Sequence, residues 1–126
     1  MTEQFSDAVR RFVLTSIPTV PHIETLLLLW RERQESWTAE LIARRLFIAP
    51  AHAQSVAEEL RDADLLEAGE APGAFRCRQS EALASLLAEL DLAYSRHLRA
   101  ITALIHSKVE RKAARFAQDF TWDKKK

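Results

Sequence analysis

The residues with the most versatile chemistry are four histidines and one cysteine, and they are scattered along the chain. His97 and His106 are nine residues apart, so on a helix they project from opposite sides and cannot share a metal ion. His22 and His52 have no cysteine or paired carboxylate at ligand spacing, and Cys77 alone can form neither an intrachain disulfide nor a Cys-x-x-Cys zinc site. The sequence also lacks a glycine-rich phosphate loop and a nucleophile motif. We therefore predict no enzyme, no bound metal and no cofactor.

Arginines in an alternating segment offer a second kind of chemistry. Arg76 and Arg78 alternate with Phe75 and Cys77, as outward and inward residues do in a half-buried strand. Outward guanidinium groups can bind phosphate, whereas an inward cysteine is predicted to be a small buried hydrophobe and not a redox sensor. Over the whole chain eighteen basic residues balance eighteen acidic ones, which argues against indiscriminate polyanion binding. A local basic patch is still compatible with this balance.

Hydrophobic periodicity predicts the helices that come before this strand. Residues 5–14 form an amphipathic helix, and Pro18 and Pro21 bracket a connector. Residues 22–34 are apolar on nearly every side, which predicts a buried central helix. A short helix then runs from Thr38, a plausible N-cap, to residue 46.

The second half of the chain continues the pattern. Pro50 suits the first turn of a helix that ends near residue 63, and Asp64 occupies its exit. Residues 69–73 form a turn between two short strands, and the pattern from residue 80 onward is helical for nearly forty residues. A common core is predicted from Trp30, Ile42, Leu46, Val56, Leu60, Leu66 and Phe75.

This order of elements over residues 22–79 resembles a winged helix-turn-helix. Residues 38–46, TAELIARRL, resemble the second helix of that motif. A second set of residues resembles the recognition helix of that motif and its exit into the wing: Val56, Leu60, Asp64, Leu65 and Leu66. With its flanking helices, the chain is similar to the MarR and PadR groups of bacterial regulators. The resemblance implies a mainly α fold with three parts: a helical arm at 1–21, the winged helix at 22–79, and a long C-terminal helix with a basic tail at 80–126.

The same resemblance implies a homodimeric transcriptional regulator that binds double-stranded DNA. Gln54 and Ser55, with His52 beside them, would read base edges from the recognition helix. Phosphates would be held by Arg44 and Arg45 and by the wing arginines. The candidate interface thus comprises Thr38, Arg44, Arg45, His52, Gln54, Ser55, Arg76 and Arg78. Two alternatives remain open: a solvated face on the recognition helix, and an i, i+4 pair of Arg44 with Glu40.

A winged-helix module that binds protein instead of DNA is the rival interpretation. The outward face of the predicted recognition helix carries Glu58, Glu59 and Asp62, with Arg61 as its one cation. Acids there repel phosphates. Leu41 is predicted to point outward from the preceding helix, where a protein partner would tolerate it better than DNA.

The long apolar stripe after residue 80 predicts a homodimer. Its residues recur every three or four positions, and a core of this size cannot cover so long a face. We predict an interface from Phe5, Val9, Phe12, Tyr94, Leu98, Ile101 and Ile105.

The sequence favours a cytoplasmic protein without a membrane span. Its longest apolar run covers residues 26–30, far short of the roughly 20 residues that cross a bilayer. The first residues lack the basic region of a secretory signal, and a single cysteine fits a reducing compartment.

Overall fold

The computed structural model describes residues 5–107. The remainder of the predicted C-terminal stripe and its basic tail lie outside the described residues. The elements in chain order are α1 (Asp7–Ser16), α2 (Val20–Arg31), α3 (Ala39–Leu46), α4 (Pro50–Asp62), β1 (Leu66–Ala68), β2 (Phe75–Cys77) and α5 (Glu81–Arg96), followed by α6 over residues 98–107. Helices α2 to α4 and the β1–β2 wing form a winged helix-turn-helix, so the predicted fold class is confirmed.

The first five helices begin in one of two ways, with a side-chain cap or with a proline in the first turn. The hydroxyls of Ser6, Thr38 and Ser80 each accept a hydrogen bond from the backbone N–H three residues later, at 3.2 Å, and so cap α1, α3 and α5. α2 and α4 instead have proline in their first turn and no side-chain cap. The predicted Thr38 cap is confirmed. The predicted connector up to Pro21 is too long, because a proline needs no N–H partner in the first turn and α2 already begins at Val20.

Both helices of the helix-turn-helix unit end in a left-handed residue that is not glycine. Phe47 follows α3 with φ 61°, and Asp64 follows α4 with φ 66°. In each case the backbone N–H of the following residue donates a hydrogen bond to a carbonyl in the last turn of the helix, from Ile48 to Ala43 and from Leu65 to Leu60. This is the Schellman arrangement, in which glycine is the usual left-handed residue. The prediction for the exit at Asp64 is confirmed, whereas the left-handed Phe47 was not foreseen.

The core surrounds α2, which packs against α3, α4, β2 and α5. Of the predicted core residues, five are buried and two, Trp30 and Leu46, are partly buried and pack against the same cluster. α2 also carries His22 and Thr25, the buried polar residues of the described chain. Side-chain pattern alone was therefore sufficient to place this core.

The wing has a third short partner that the periodicity did not predict. β1 and β2 are antiparallel, with Leu66 opposite Cys77 and Ala68 opposite Phe75. Trp37 exchanges both backbone hydrogen bonds with Phe75, at 2.8 and 2.7 Å. This bridge ties the segment before α3 to the wing.

The prediction of one continuous C-terminal helix is wrong, because the helix breaks at His97. This residue leaves helical geometry, with φ −132° and ψ 50°, and its ring lies 6.2 Å from that of Phe5. After the break, Ile101 and Ile105 are buried in the main cluster, while Leu98 is 51% exposed. The break therefore redirects the apolar stripe onto the core of its own chain, which lowers the apolar area left exposed.

Candidate nucleic-acid interface

Helix α4, the predicted recognition helix, presents its first turns to solvent. His52 and Ser55 are exposed, so their polar groups are free to meet a groove. Gln54 is partly buried and donates its Nε2–H to Glu58 Oε2 over 2.7 Å. An amide at this position can make a bidentate contact with adenine only after it exchanges that bond. α4 thus offers two free side chains and one that is already engaged.

Glu59 is held by a neighbouring helix. Its Oε1 lies 2.6 Å from His22 Nε2, and His22 Nδ1 lies 2.6 Å from the Thr19 hydroxyl. An ionised carboxylate can only accept, so Nε2–H is the donor to Glu59 and, in the neutral ring, Nδ1 accepts from Thr19. The chain of hydrogen bonds fastens the start of α2 to α4. It also engages Glu59, one of the acids on the predicted recognition face, in a hydrogen bond.

The α3 candidates differ in how free they are. Arg44 is exposed and has no ion pair within residues 5–107, so the alternative pairing with Glu40 is not formed. Arg45 lies over the Trp37 ring at 5.3 Å and reaches Glu32 at 3.9 Å. Thr38 uses its hydroxyl oxygen as the cap of α3 and still has a proton to donate. Arg44 is therefore the freest cation of this helix.

The wing arginines are likewise unequal. Arg76 donates Nε–H to Glu67 Oε2 over 2.8 Å, which neutralises much of its charge. Arg78 is exposed, and within residues 5–107 its side chain reaches only the Asp64 carbonyl, at 3.4 Å. Cys77 between them is buried, and desolvation raises the pKa of its thiol to about 11. The predicted alternation is confirmed, with Arg78 as the freer cation and Cys77 as an inert core residue.

A groove of about 740 Å³ lies at the base of the wing and adds an arginine that sequence reasoning missed. Arg33, two residues after α2, faces it together with the two wing arginines, and its guanidinium lies 4.8 Å from the centre of the Trp30 ring. The buried Trp30 Nε1 has no hydrogen-bond partner in the described chain. The groove is lined by Trp30, Arg33, Gln34, Arg76, Cys77, Arg78, Gln79, Ser80, Glu81 and Ala84. Three guanidinium groups give it the donors for an anion.

The predicted dimer residues separate into covered and exposed ones. Val9, Tyr94, Ile101 and Ile105 are buried within the single chain, and Phe5 and Phe12 are partly buried against the core. The Tyr94 hydroxyl donates to Glu24 Oε2 over 3.0 Å, and burial raises its pKa to about 12. Leu98 alone of the set is largely exposed, as is Leu92 nearby in sequence.

Residues 5–107 contain neither a metal-binding cluster nor a single membrane-spanning helix. No group of three or more His, Cys, Asp or Glu side chains in residues 5–107 is arranged to hold a metal ion. Within that range no single helix has the length and hydropathy of a membrane span; α1 and α2 together do by length and composition, but they meet at a bend of 118°.

Comparison with solved structures identifies a similar fold. A point mutant of ZitR from Lactococcus lactis has 17% sequence identity to this chain, and the alignment covers 98% of this chain and 81% of ZitR at a TM-score of 0.53. No protein-family model and no curated protein matches the sequence. At this identity the similarity shows the winged-helix fold alone, and the chemistry must be argued from the side chains.

Proposed function

We propose that this chain is a homodimeric transcriptional regulator that binds double-stranded DNA and resembles the MarR group. The observation that carries the proposal is the exposed first half of α4, in which His52 and Ser55 are free, together with two exposed arginines that have no acid partner among the described residues. These are Arg44 on α3 and Arg78, which reaches the Asp64 carbonyl after α4. The fold shared with ZitR, a winged-helix regulator, supports the same class of function.

In this proposal α4 enters the major groove and the cations on either side of it hold phosphates. His52 and Ser55 approach base edges directly, and Gln54 releases Glu58 to reach an adenine. Arg44 from α3 and Arg78 from the wing contact the backbone and set the register of α4. A helix between two phosphate contacts is the arrangement by which winged helices read sequence.

The acids near this surface oppose DNA less than their number implies. Glu59 is bonded to His22 and Glu67 to Arg76, while Glu58 keeps its bond to Gln54 only until Gln54 turns to a base. An acid that already accepts a hydrogen bond from a cation or amide contributes a weaker field at the phosphates. Their engagement leaves Arg44 and Arg78 to dominate the contact.

The homodimer in this proposal uses the exposed part of the terminal helices. Leu92 and Leu98 are 52% and 51% exposed on α5 and α6. A second copy that covers both would bury apolar surface that the single chain leaves in water. Two recognition helices would then address two half-sites.

Binding to random-sequence duplex DNA at about 50 and 200 mM salt tests the proposal, because phosphate contacts release counterions and give a salt slope. The double variant Arg44→Ala with Arg78→Ala should shallow the slope by nearly two units. Arg11→Ala, which removes an exposed cation from α1, is the matched control and should leave the slope unchanged. Absence of binding at the lower salt concentration would overturn the proposal.

A further inference from the structure

Phe47, in the turn between α3 and α4, combines backbone strain with exposure. Its φ and ψ are 61° and 45°, a region that glycine adopts freely and a bulky side chain adopts at a cost. Its side chain is 93% exposed, so the phenyl ring gains almost nothing from the core in return. Strained and exposed residues of this kind are typical of functional contacts.

The surface around this turn is apolar and cationic. Leu41 on the outer side of α3 is 41% exposed. Arg44 and Arg45 follow it by three and four residues, so they are its neighbours on the helix surface. We call Leu41, Arg44, Arg45 and Phe47 the α3 patch. Glu40 borders it and forms no ion pair with Arg44 in the described part of the chain, while Arg45 reaches Glu32 at 3.9 Å.

We propose that the α3 patch is a docking surface for an acidic amphipathic segment of another protein. Phe47 and Leu41 are apolar anchors of the kind that dominate protein interfaces, and the two arginines favour carboxylates at the rim.

The combination of apolar and cationic side chains favours this occupant over DNA and over a second copy of the chain. DNA would meet the arginines but gains nothing from an exposed phenyl ring and a leucine beside its phosphates. A second copy docked by two-fold symmetry would set Arg44 and Arg45 of one chain near the same residues of the other, and like charges repel. An acidic amphipathic segment provides apolar side chains for Leu41 and Phe47 and carboxylates for Arg44 and Arg45.

Docking also has a consequence for DNA. Arg44 and Arg45 belong to the patch and to the candidate phosphate contacts, so an acidic segment that occupies them competes with the DNA backbone. The patch itself does not depend on DNA binding, because its anchors Phe47 and Leu41 take no part in it.

The experiment uses two fluorescein-labelled helical peptides, each about 15 residues long. They share the same leucine and phenylalanine positions and differ only in glutamate against lysine on the polar face. Binding to the full chain is measured by fluorescence anisotropy. Amide shifts in the ¹⁵N spectrum locate the contact. We expect the acidic peptide to bind at least about tenfold more tightly than the basic one, with shifts confined to residues 40–48.

Variants make the test specific. Phe47→Gly relieves the strained backbone, so it should raise the melting temperature while it weakens the acidic peptide by about tenfold or more. Arg11→Ala, which removes an exposed cation from α1, should leave peptide affinity unchanged. Equal binding of the two peptides, an unaffected Phe47→Gly variant, or shifts centred on α5 would overturn the proposal. So would a Phe47→Gly variant that loses DNA affinity and retains the peptide, because the ring would then be a DNA contact.

Discussion

His22 on α2 and Glu59 on α4 are joined by a hydrogen bond of 2.6 Å between Nε2 and Oε1. The imidazole is buried, whereas the Glu59 side chain is 63% exposed. The carboxylate therefore meets a donor that is largely shielded from water. The bond joins a core helix to α4, the predicted recognition helix.

We expect Glu59→Ala to lower the free energy of unfolding by about 1 kcal/mol, because the buried His22 N–H loses its acceptor. Urea unfolding followed by circular dichroism measures the change. Asp62→Ala is the control, since Asp62 is exposed on the same helix and its contact with Arg61 spans 3.8 Å. A Glu59→Ala variant as stable as the control would show that the bond adds nothing.

The sequence predicts those features that depend on local pattern. Val56 and Leu60 are one turn apart and both buried, Phe75 and Cys77 alternate inward, and Thr38 caps α3. These follow from helix and strand periods and from a hydroxyl before an apolar run.

Features that depend on distant partners were not predictable from the same patterns. The Trp37 bridge to Phe75 and the bond between His22 and Glu59 join residues 38 and 37 positions apart. The break at His97 interrupts a helical period that is continuous in the sequence. It was not predictable, because periodicity alone does not show where an apolar stripe folds back onto the core of its own chain. Of the candidate interface, the sequence did not predict that Arg76 is paired with Glu67 while Arg78 has no acid partner among the described residues.

Replacing the left-handed residues by glycine should stabilise the chain unequally. Phe47→Gly removes a steric cost and should add about 1 kcal/mol to the free energy of unfolding. Asp64→Gly should add only about 0.3 kcal/mol, because aspartate tolerates this conformation and glycine gives the unfolded chain more freedom. Urea midpoints compare the two variants with the parent, and a larger gain for Asp64→Gly would contradict the expected order.

Cys77 should resist modification in the folded chain. Its raised pKa of about 11, against an ordinary 9.0, keeps the thiol protonated at pH 8 and lowers its thiolate fraction about 100-fold. Iodoacetamide labelling followed by mass spectrometry should therefore be at least that much slower in buffer than in urea. The native rate should rise with pH up to about 11, since the thiolate is the nucleophile. Equal native and unfolded rates at pH 8 would contradict the buried position.

The wing arginines should contribute unequally to DNA binding. Arg78→Ala removes a cation without an acid partner and should shallow the salt slope by nearly one unit. Arg76→Ala removes a cation that Glu67 already neutralises, so its effect on the slope should be smaller. Titrations of labelled duplex DNA at several salt concentrations measure both slopes. Equal slopes for the two variants would mean that Arg76 leaves Glu67 when DNA binds.

Substitutions in the terminal helices distinguish an effect on the proposed homodimer from an effect on the fold. Leu98→Glu places a charge on an exposed position of α6 and should give a folded monomer, because a buried unpaired carboxylate opposes association. Ile101→Ala empties a buried site and should cost about 2–5 kcal/mol of stability, with no direct effect on the interface. Sedimentation velocity and thermal unfolding on both variants separate the two effects. A parent chain that sediments as a monomer at tens of micromolar would rule out the proposed dimer, and a Leu98→Glu variant that still sediments as a dimer would move its interface away from α6.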